Sequence, residues 1–307
     1  MFMLRTLLFL FLISIVSNRI QAQSFWEYDS VPNKQRIMGI HIGAAVLGGG
    51  SLIGLTTIWY KDNWNPEGFT LFNDGKEWLQ MDKFGHFYTA HHIAAGLSKV
   101  YQWGGVSPQK SRLMGSAISL GYLTSIEILD GFSKDYGFSW WDMAANGLGI
   151  GWFLTQESLW EEQRIHLKFS ASLSPYASFR PSHLGSTVPE RLLKDYNGQT
   201  YWLSFSPGHL FKKRDFFPKW LAVSAGYSID QKLHGFDNTF TVLKEDKLYQ
   251  FEAKRQYLLS LDIDLTALPI EKPWLKTLAY ALNHLKVPFP TVVYNQGGGM
   301  NFSWMYF

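Results

Sequence analysis

The chain has 307 residues, a formal net charge of +3, charged residues at 17% and aromatic residues at a further 17%. Charge lies below the roughly 25% usual in soluble domains, and without a Lys/Arg-rich run so small a balance sets nucleic acid aside as a partner. Cysteine is absent, which removes disulfides, thiolate metal ligands and a lipidated cysteine from these residues.

In chain order, Arg5 precedes the apolar run 6–16, and a short polar stretch ends at Ala22. That order matches a secretory signal peptide over residues 1–22, exporting the chain to the cell envelope. The next apolar segment, 36–60, is long enough to cross a bilayer, although Gly48, Gly49 and Gly50 each weaken a helix by about 1 kcal/mol relative to alanine. A buried helix of a compact domain is the competing reading. A polar connection over 61–81 leads to a helix expected at 82–102, closed by Gly104 and Gly105. A third helix is expected from Pro108 to about Asp130. A fourth, with Ser139 as N-cap, runs through Trp152 to about Gln163.

Beyond residue 164 the period changes from helical to alternating. Ile165, Leu167, Phe169, Ala171 and Leu173 alternate with polar residues. So do Tyr201 to Phe205, Leu221 to Ile229, Tyr257 to Leu265 and Phe302 to Tyr306. Such alternation means strands with one apolar and one polar face. Several runs approach the length of a tilted membrane strand, and the chain ends on Phe307, as outer-membrane barrel proteins end on an aromatic residue. Phe307 is one residue out of register with Phe302, Trp304 and Tyr306, which a bulge would reconcile. A soluble antiparallel sheet, covered by an amphipathic helix near 274–285, is the alternative. The expected fold is thus α+β. A helical domain over 23–164, a bundle of about four apolar helices, precedes an antiparallel, barrel-like or open, β domain over 165–307.

Chemistry concentrates in the helical part. Asp82 and His86 are four residues apart, Glu127 and Asp130 three, and Asp142 and Asn146 four, so each pair shares one helix face. Three helices offering polar pairs from apolar stripes can converge on one point, as carboxylate and histidine metal sites do. Oxygen and imidazole donors suit Zn, Mn or Fe, with Mg or Ca where carboxylates dominate. Without a metal, His86 oriented by Asp82 is a general base, and Glu127 or Asp130 an acid of raised pKa. The structural alternative has Asp82 and Asp142 stabilising helix starts, and His86 tied to Glu127 between helices. His91 points away from Asp82, as an interface or solvent residue. Gly147, Gly149 and Gly151 read as close helix packing.

Residues 59–157 resemble the family described as domain of unknown function 2279, which includes YfiM-like predicted lipoproteins. WYKDNW, FNDGKEWLQMDKFGHFYTAHH, SIEILDGFS and SWWDMAANGLGIGWF carry the resemblance. The order DK-x-x-H, acidic pair, D-x-x-x-N-x-x-G is also similar to VanZ-like membrane proteins. The resemblance implies an envelope location, without an established activity. It marks Asp82, Lys83, His86, Glu127, Asp130, Asp142, Asn146 and Gly149 as characteristic positions. The expected function is that of an envelope protein at the outer membrane, or in the periplasm, in contact with membrane lipid or other envelope components. Its His/carboxylate cluster would have a structural or binding role. The alternative is a membrane-facing hydrolase, metal-dependent or not, acting on a lipid or cell-wall precursor. Substrate, metal identity and oligomeric state are not legible.

Overall fold

The computed structural model describes residues 31–60, 63–210 and 217–307; the signal peptide expected at 1–22 lies outside them. Helix α1 (Lys34–Leu55) starts at Asn33, whose side chain accepts from the Arg36 amide, and runs into a π-turn at Thr56–Tyr60. It is long and apolar enough to cross a membrane, with 6% of its most apolar window buried. Only Ile40 in it is buried, so the buried-helix reading does not hold. The packed bundle consists of α2 (Met81–Trp103), α3 (Pro108–Gly131) and α4 (Trp140–Trp160), around Ala90, Ala94, Leu123, Ile150 and Phe153. The expected four-helix bundle is corrected accordingly: α1 runs alongside three packed helices.

Small residues bring those helices close. A Cβ at Gly149 of α4 would overlap the Phe87 carbonyl oxygen of α2, and one at Gly115 of α3 would press on the Ala94 carbonyl at 2.5 Å. Nothing lies within 4 Å of a Cβ at Gly147 or Gly151, so close packing is confined to Gly149.

The second half is an antiparallel sheet in the order β1 (Ile165–Ala171), β2 (Gln199–Phe205), β3 (Leu221–Asp230), β6 (Lys254–Ile263), β7 (Phe289–Asn295), β8 (Gly299–Tyr306). A separate hairpin joins β4 (Thr239–Lys244) to β5 (Lys247–Glu252). Short helices α5 (Pro181–Leu184), α6 (Val188–Lys194) and α7 (Pro207–Leu210) lie in connections; α8 (Pro273–Leu282) precedes β7. Among the described residues β8 and β1 do not pair, so the barrel-like alternative is corrected to a curled open sheet. The curl brings the Trp202 ring of β2 against Tyr306 of β8, with Leu258 and Val293 beneath it. The free edge of β1 takes the segment before β7, through Phe169 N to His284 O and Lys286 N to Phe169 O.

Register sorts the two faces. One cross-strand row reads His166, Ser204, Ser224, Ser260, Thr291, Ser303. Its Ser204, Ser224, Ser260 and Thr291 are buried. Beside it Asp262 accepts from Ser204 and Ser224 and pairs with Lys168 at 3.0 Å, all inside the curl. The neighbouring row on the opposite face reads Leu167, Leu203, Ala225, Leu259, Val292, Phe302. Its Leu203, Leu259, Val292 and Phe302 are exposed. The next row on that face is aromatic: Phe169, Tyr201, Tyr227, Tyr257 and Tyr294. Polar groups therefore lie inside and much of the apolar face outside.

β8 carries one extra residue between the pairs Thr291–Ser303 and Phe289–Tyr306. This bulge leaves Trp304 and Met305 both exposed and turns Tyr306 inward against Trp202, so one register no longer runs to Phe307.

Helix and sheet meet along α2. Phe84 stacks on Tyr227, Tyr88 donates to the His284 carbonyl, and His92 Nε2 donates to the Leu167 carbonyl.

Candidate functional site

Asp82 sits in the first turn of α2, Asp142 in that of α4 and Glu127 in the last turn of α3. Placing an acid in a first turn favours its charged form through the amides there. Ser139 caps α4 by accepting from the Asp142 amide, and its own amide donates to Glu127 Oε2 at 3.1 Å. One cap residue thereby fixes two of the acids.

The turn before α2 is unusual. Trp78, Leu79 and Gln80 have φ of 45°, 51° and 67°, a left-handed run without glycine. Such residues cost about 1 kcal/mol or more apiece and persist only when the surroundings hold them. Here the sheet does so: Tyr227 Oη and Arg255 Nη1 both donate to the Leu79 carbonyl, and the Gly235 carbonyl accepts from the Trp78 amide. The β half thus sets the position from which Asp82, Lys83 and His86 project.

Lys83 lies at the centre of the acids. Its Nζ is 2.5 Å from Asp74, 3.0 Å from Asp82 and 2.8 Å from Asp142. Asp74 also accepts from Ser139 Oγ, and Tyr196, from the other half of the chain, donates to Asp82 Oδ1 at 2.9 Å. His86 Nδ1 lies 3.1 Å from Asn146 Oδ1, which can only accept. An N–H at Nδ1 would satisfy that oxygen. Nε2 then faces Glu127 Oε1 at 3.6 Å and Asp82 Oδ1 and Asp142 Oδ1 at 3.9 Å each. Glu127 is 1% exposed, and its Oε1 has no hydrogen-bond partner; nor has Asn146 Nδ2.

Burial sets the electrostatics. It raises Glu127 to about 8, with Asp130 adding to the shift, and raises Glu77 to about 7, with Asp82 adding. Asp130 rises to about 7, again through burial, although its bond from Tyr60 Oη at 2.5 Å opposes the change. In the coupled pair Asp82 and Asp142, burial disfavours both charges. His86 and Lys83 outweigh it for Asp82, which stays ionised, whereas burial and the charge of Asp82 drive Asp142 upward. Lys83 is driven upward too: burial opposes its charge, but Asp82 and Asp142 prevail.

The cluster is not sealed. A cavity of about 540 Å³ has Asp74, Glu77, Asp82, His86, Asp130 and Asp142 in its lining. The remaining lining includes Leu55, Leu123, Ile126, Leu192, Leu193 and Tyr88, together with Phe169 and Tyr201 from the sheet's apolar face. The volume falls within the 300–1,000 Å³ of ordinary ligand pockets.

The structure thus brings together Asp82, Lys83, His86, Glu127, Asp142 and Asn146. Asp130 reaches the same cavity but is held by Tyr60, and Gly149 serves the α2–α4 contact away from the polar atoms. Asp82 is not an N-cap; Gln80 holds that position, without a side-chain bond. His91 is buried against Phe153 and is an interface residue. Sequence reasoning missed Asp74, Tyr60 and Tyr196. FNDGKEW gives Asp74 no helical spacing, and Tyr60 and Tyr196 reach the cluster only through the tertiary fold.

Residues 67–156 match the family described as predicted periplasmic lipoprotein, domain of unknown function 2279. No curated protein and no solved structure matches the chain. The matched stretch contains every acid of the cluster as well as Lys83, His86 and Asn146. With no cysteine among the 307 residues, thioether lipidation has no attachment point in them.

Proposed function

We propose that the protein is a cell-envelope component held at the outer membrane, where it binds an amphiphilic envelope molecule, a lipid or a cell-wall precursor, in the cavity beside His86. The observation that carries this reading is the inverted polarity of the sheet. A buried row of hydroxyls backs an exposed row of Leu203, Leu259, Val292 and Phe302. Water outside would favour the reverse arrangement, whereas lipid favours this one. Tyr201 and Phe169, from the next row of the same face, line the cavity, so an acyl chain would follow one apolar surface from the membrane towards the acids. Helix α1, mostly unburied and of membrane length, supports contact with a membrane.

Density-gradient fractionation tests the location. The mature protein is expected with the outer membrane after a carbonate wash. Recovery in the soluble periplasm would contradict the reading.

A hydrolase is the second reading, favoured by the geometry at His86. Its Nδ1 contacts Asn146 while Nε2 faces Glu127, which holds a proton near neutral pH. An imidazole lining a pocket, with a protonated carboxyl buried behind it, offers an acid and a base for general acid–base hydrolysis. If it operates, His86→Ala lowers turnover of a lipid or cell-wall precursor by about 10²-fold or more with the fold intact. Unchanged turnover would leave binding alone.

A further inference from the structure

We propose that Asp82, His86 and Asp142 form a binding site for a divalent transition ion of the zinc class. One oxygen of each acid and one ring nitrogen of the histidine lie within 4.8 Å of one another. His86 Nε2 lies 3.9 Å from one oxygen of each acid. Ligands at about 2.0–2.2 Å from zinc stand roughly 3.3–3.6 Å apart in a tetrahedron, so the histidine nitrogen is within a few tenths of an ångström of that spacing from each acid, and the site closes by side-chain movements of about an ångström.

Three further observations support an ion here. First, the outer support is already built. A metal-binding imidazole commonly donates its second N–H to a carbonyl, and His86 Nδ1 lies 3.1 Å from such an acceptor, Asn146 Oδ1. Lys83 and Tyr196 similarly hold the two acids, through Asp82 Oδ2, Asp82 Oδ1 and Asp142 Oδ1. Secondly, Glu127 is nine-tenths buried and more, and its Oε1 is aimed at the His86 Nε2 edge of the triad without a hydrogen-bond partner. That oxygen is an additional donor for an ion or for a molecule bound to it. Thirdly, Asp82, His86 and Asp142 all line the cavity, which provides an entry path and an open coordination position. Imidazole with carboxylates and no thiolate suits zinc, manganese or iron; a magnesium site would be expected to use oxygen donors alone. The inference rests on donor geometry and does not need the amphiphile reading.

The test uses the mature protein purified in detergent, stripped with a chelator and titrated with Co²⁺ as a spectroscopic substitute. Visible absorption gives the stoichiometry, Zn²⁺ competition gives affinity, and circular dichroism monitors the fold. One Co²⁺ per chain, displaced by Zn²⁺ and not by equimolar Mg²⁺, is expected. Asp82→Asn and His86→Ala should each weaken binding by at least tenfold, and Asn146→Ala by about 10–100-fold. Exposed His183→Ala should change nothing. A folded wild type that binds no Co²⁺ would overturn the proposal, as would unchanged binding in a folded Asp82→Asn or His86→Ala variant. Asp82→Asn keeps the side-chain volume and so serves if His86→Ala does not fold. Ion binding without any amphiphile would contradict the proposed function and leave this site standing.

Discussion

Lys83 shows why the acids can share one small volume. A buried carboxylate is costly, and three of them around one ammonium are tolerated because each contact also satisfies a donor of Lys83. Lys83→Met should therefore destabilise the protein by about 3 kcal/mol, read from urea unfolding; a loss below about 0.5 kcal/mol would mean the acids are neutral without it. Glu127 makes a complementary prediction. Its native pKa of about 8 lies above the ordinary carboxyl value, so its contribution is full in acid, below about pH 4.5. That contribution is lost as pH rises toward 8, because the unfolded chain gives up a proton that the native state retains. Glu127→Gln removes the titration. Its stability relative to wild type should grow between pH 4.5 and 8 by up to about 1.4 kcal/mol per pH unit. A gap independent of pH would show that Glu127 titrates normally.

Elements turn these residues into a site through two devices. One is close helix approach at Gly149, where a methyl group would meet the Phe87 carbonyl. Gly149→Ala should cost about 1–3 kcal/mol in denaturant unfolding, whereas Gly147→Ala, in open space, should be neutral or slightly stabilising through helix propensity. Equal effects at both positions would contradict tight α2–α4 packing. The other device is the left-handed turn Trp78–Gln80 locked by Tyr227 and Arg255. The first device is partly legible, since the polar pairs repeat at helical spacing and glycines in a helical segment suggest close packing, although only Gly149 of the three provides it. The second is not, because Glu77 to Gln80 contains no glycine to announce a positive φ. The β4–β5 hairpin escaped for the same reason. Its turn residues Glu245 and Asp246 take φ of 51° and 58° without the Asn-Gly or Asp-Gly signature. Strand β7 was missed as well, its start interrupted by Pro288 and Pro290.

At the scale of the whole molecule, alternation correctly announced strands but could not say which face would be buried or whether the sheet would close. Both depend on contacts such as Trp202 with Tyr306, which span more than a hundred residues. The result is a chain whose β half presents apolar rows outward, supports the strained turn before α2 and contributes Phe169, Tyr196 and Tyr201 to the cavity. The central claim is that the His86 cluster is the polar end of a ligand site and not a tie between helices. Mass spectrometry of amphiphiles retained by wild type and by His86→Ala, both purified from the envelope, paired with thermal melting, tests that claim most directly. A functional site predicts that the variant loses the retained molecule while melting within a few degrees of wild type. A variant that keeps the molecule and melts far lower would show that the cluster only holds the helices together.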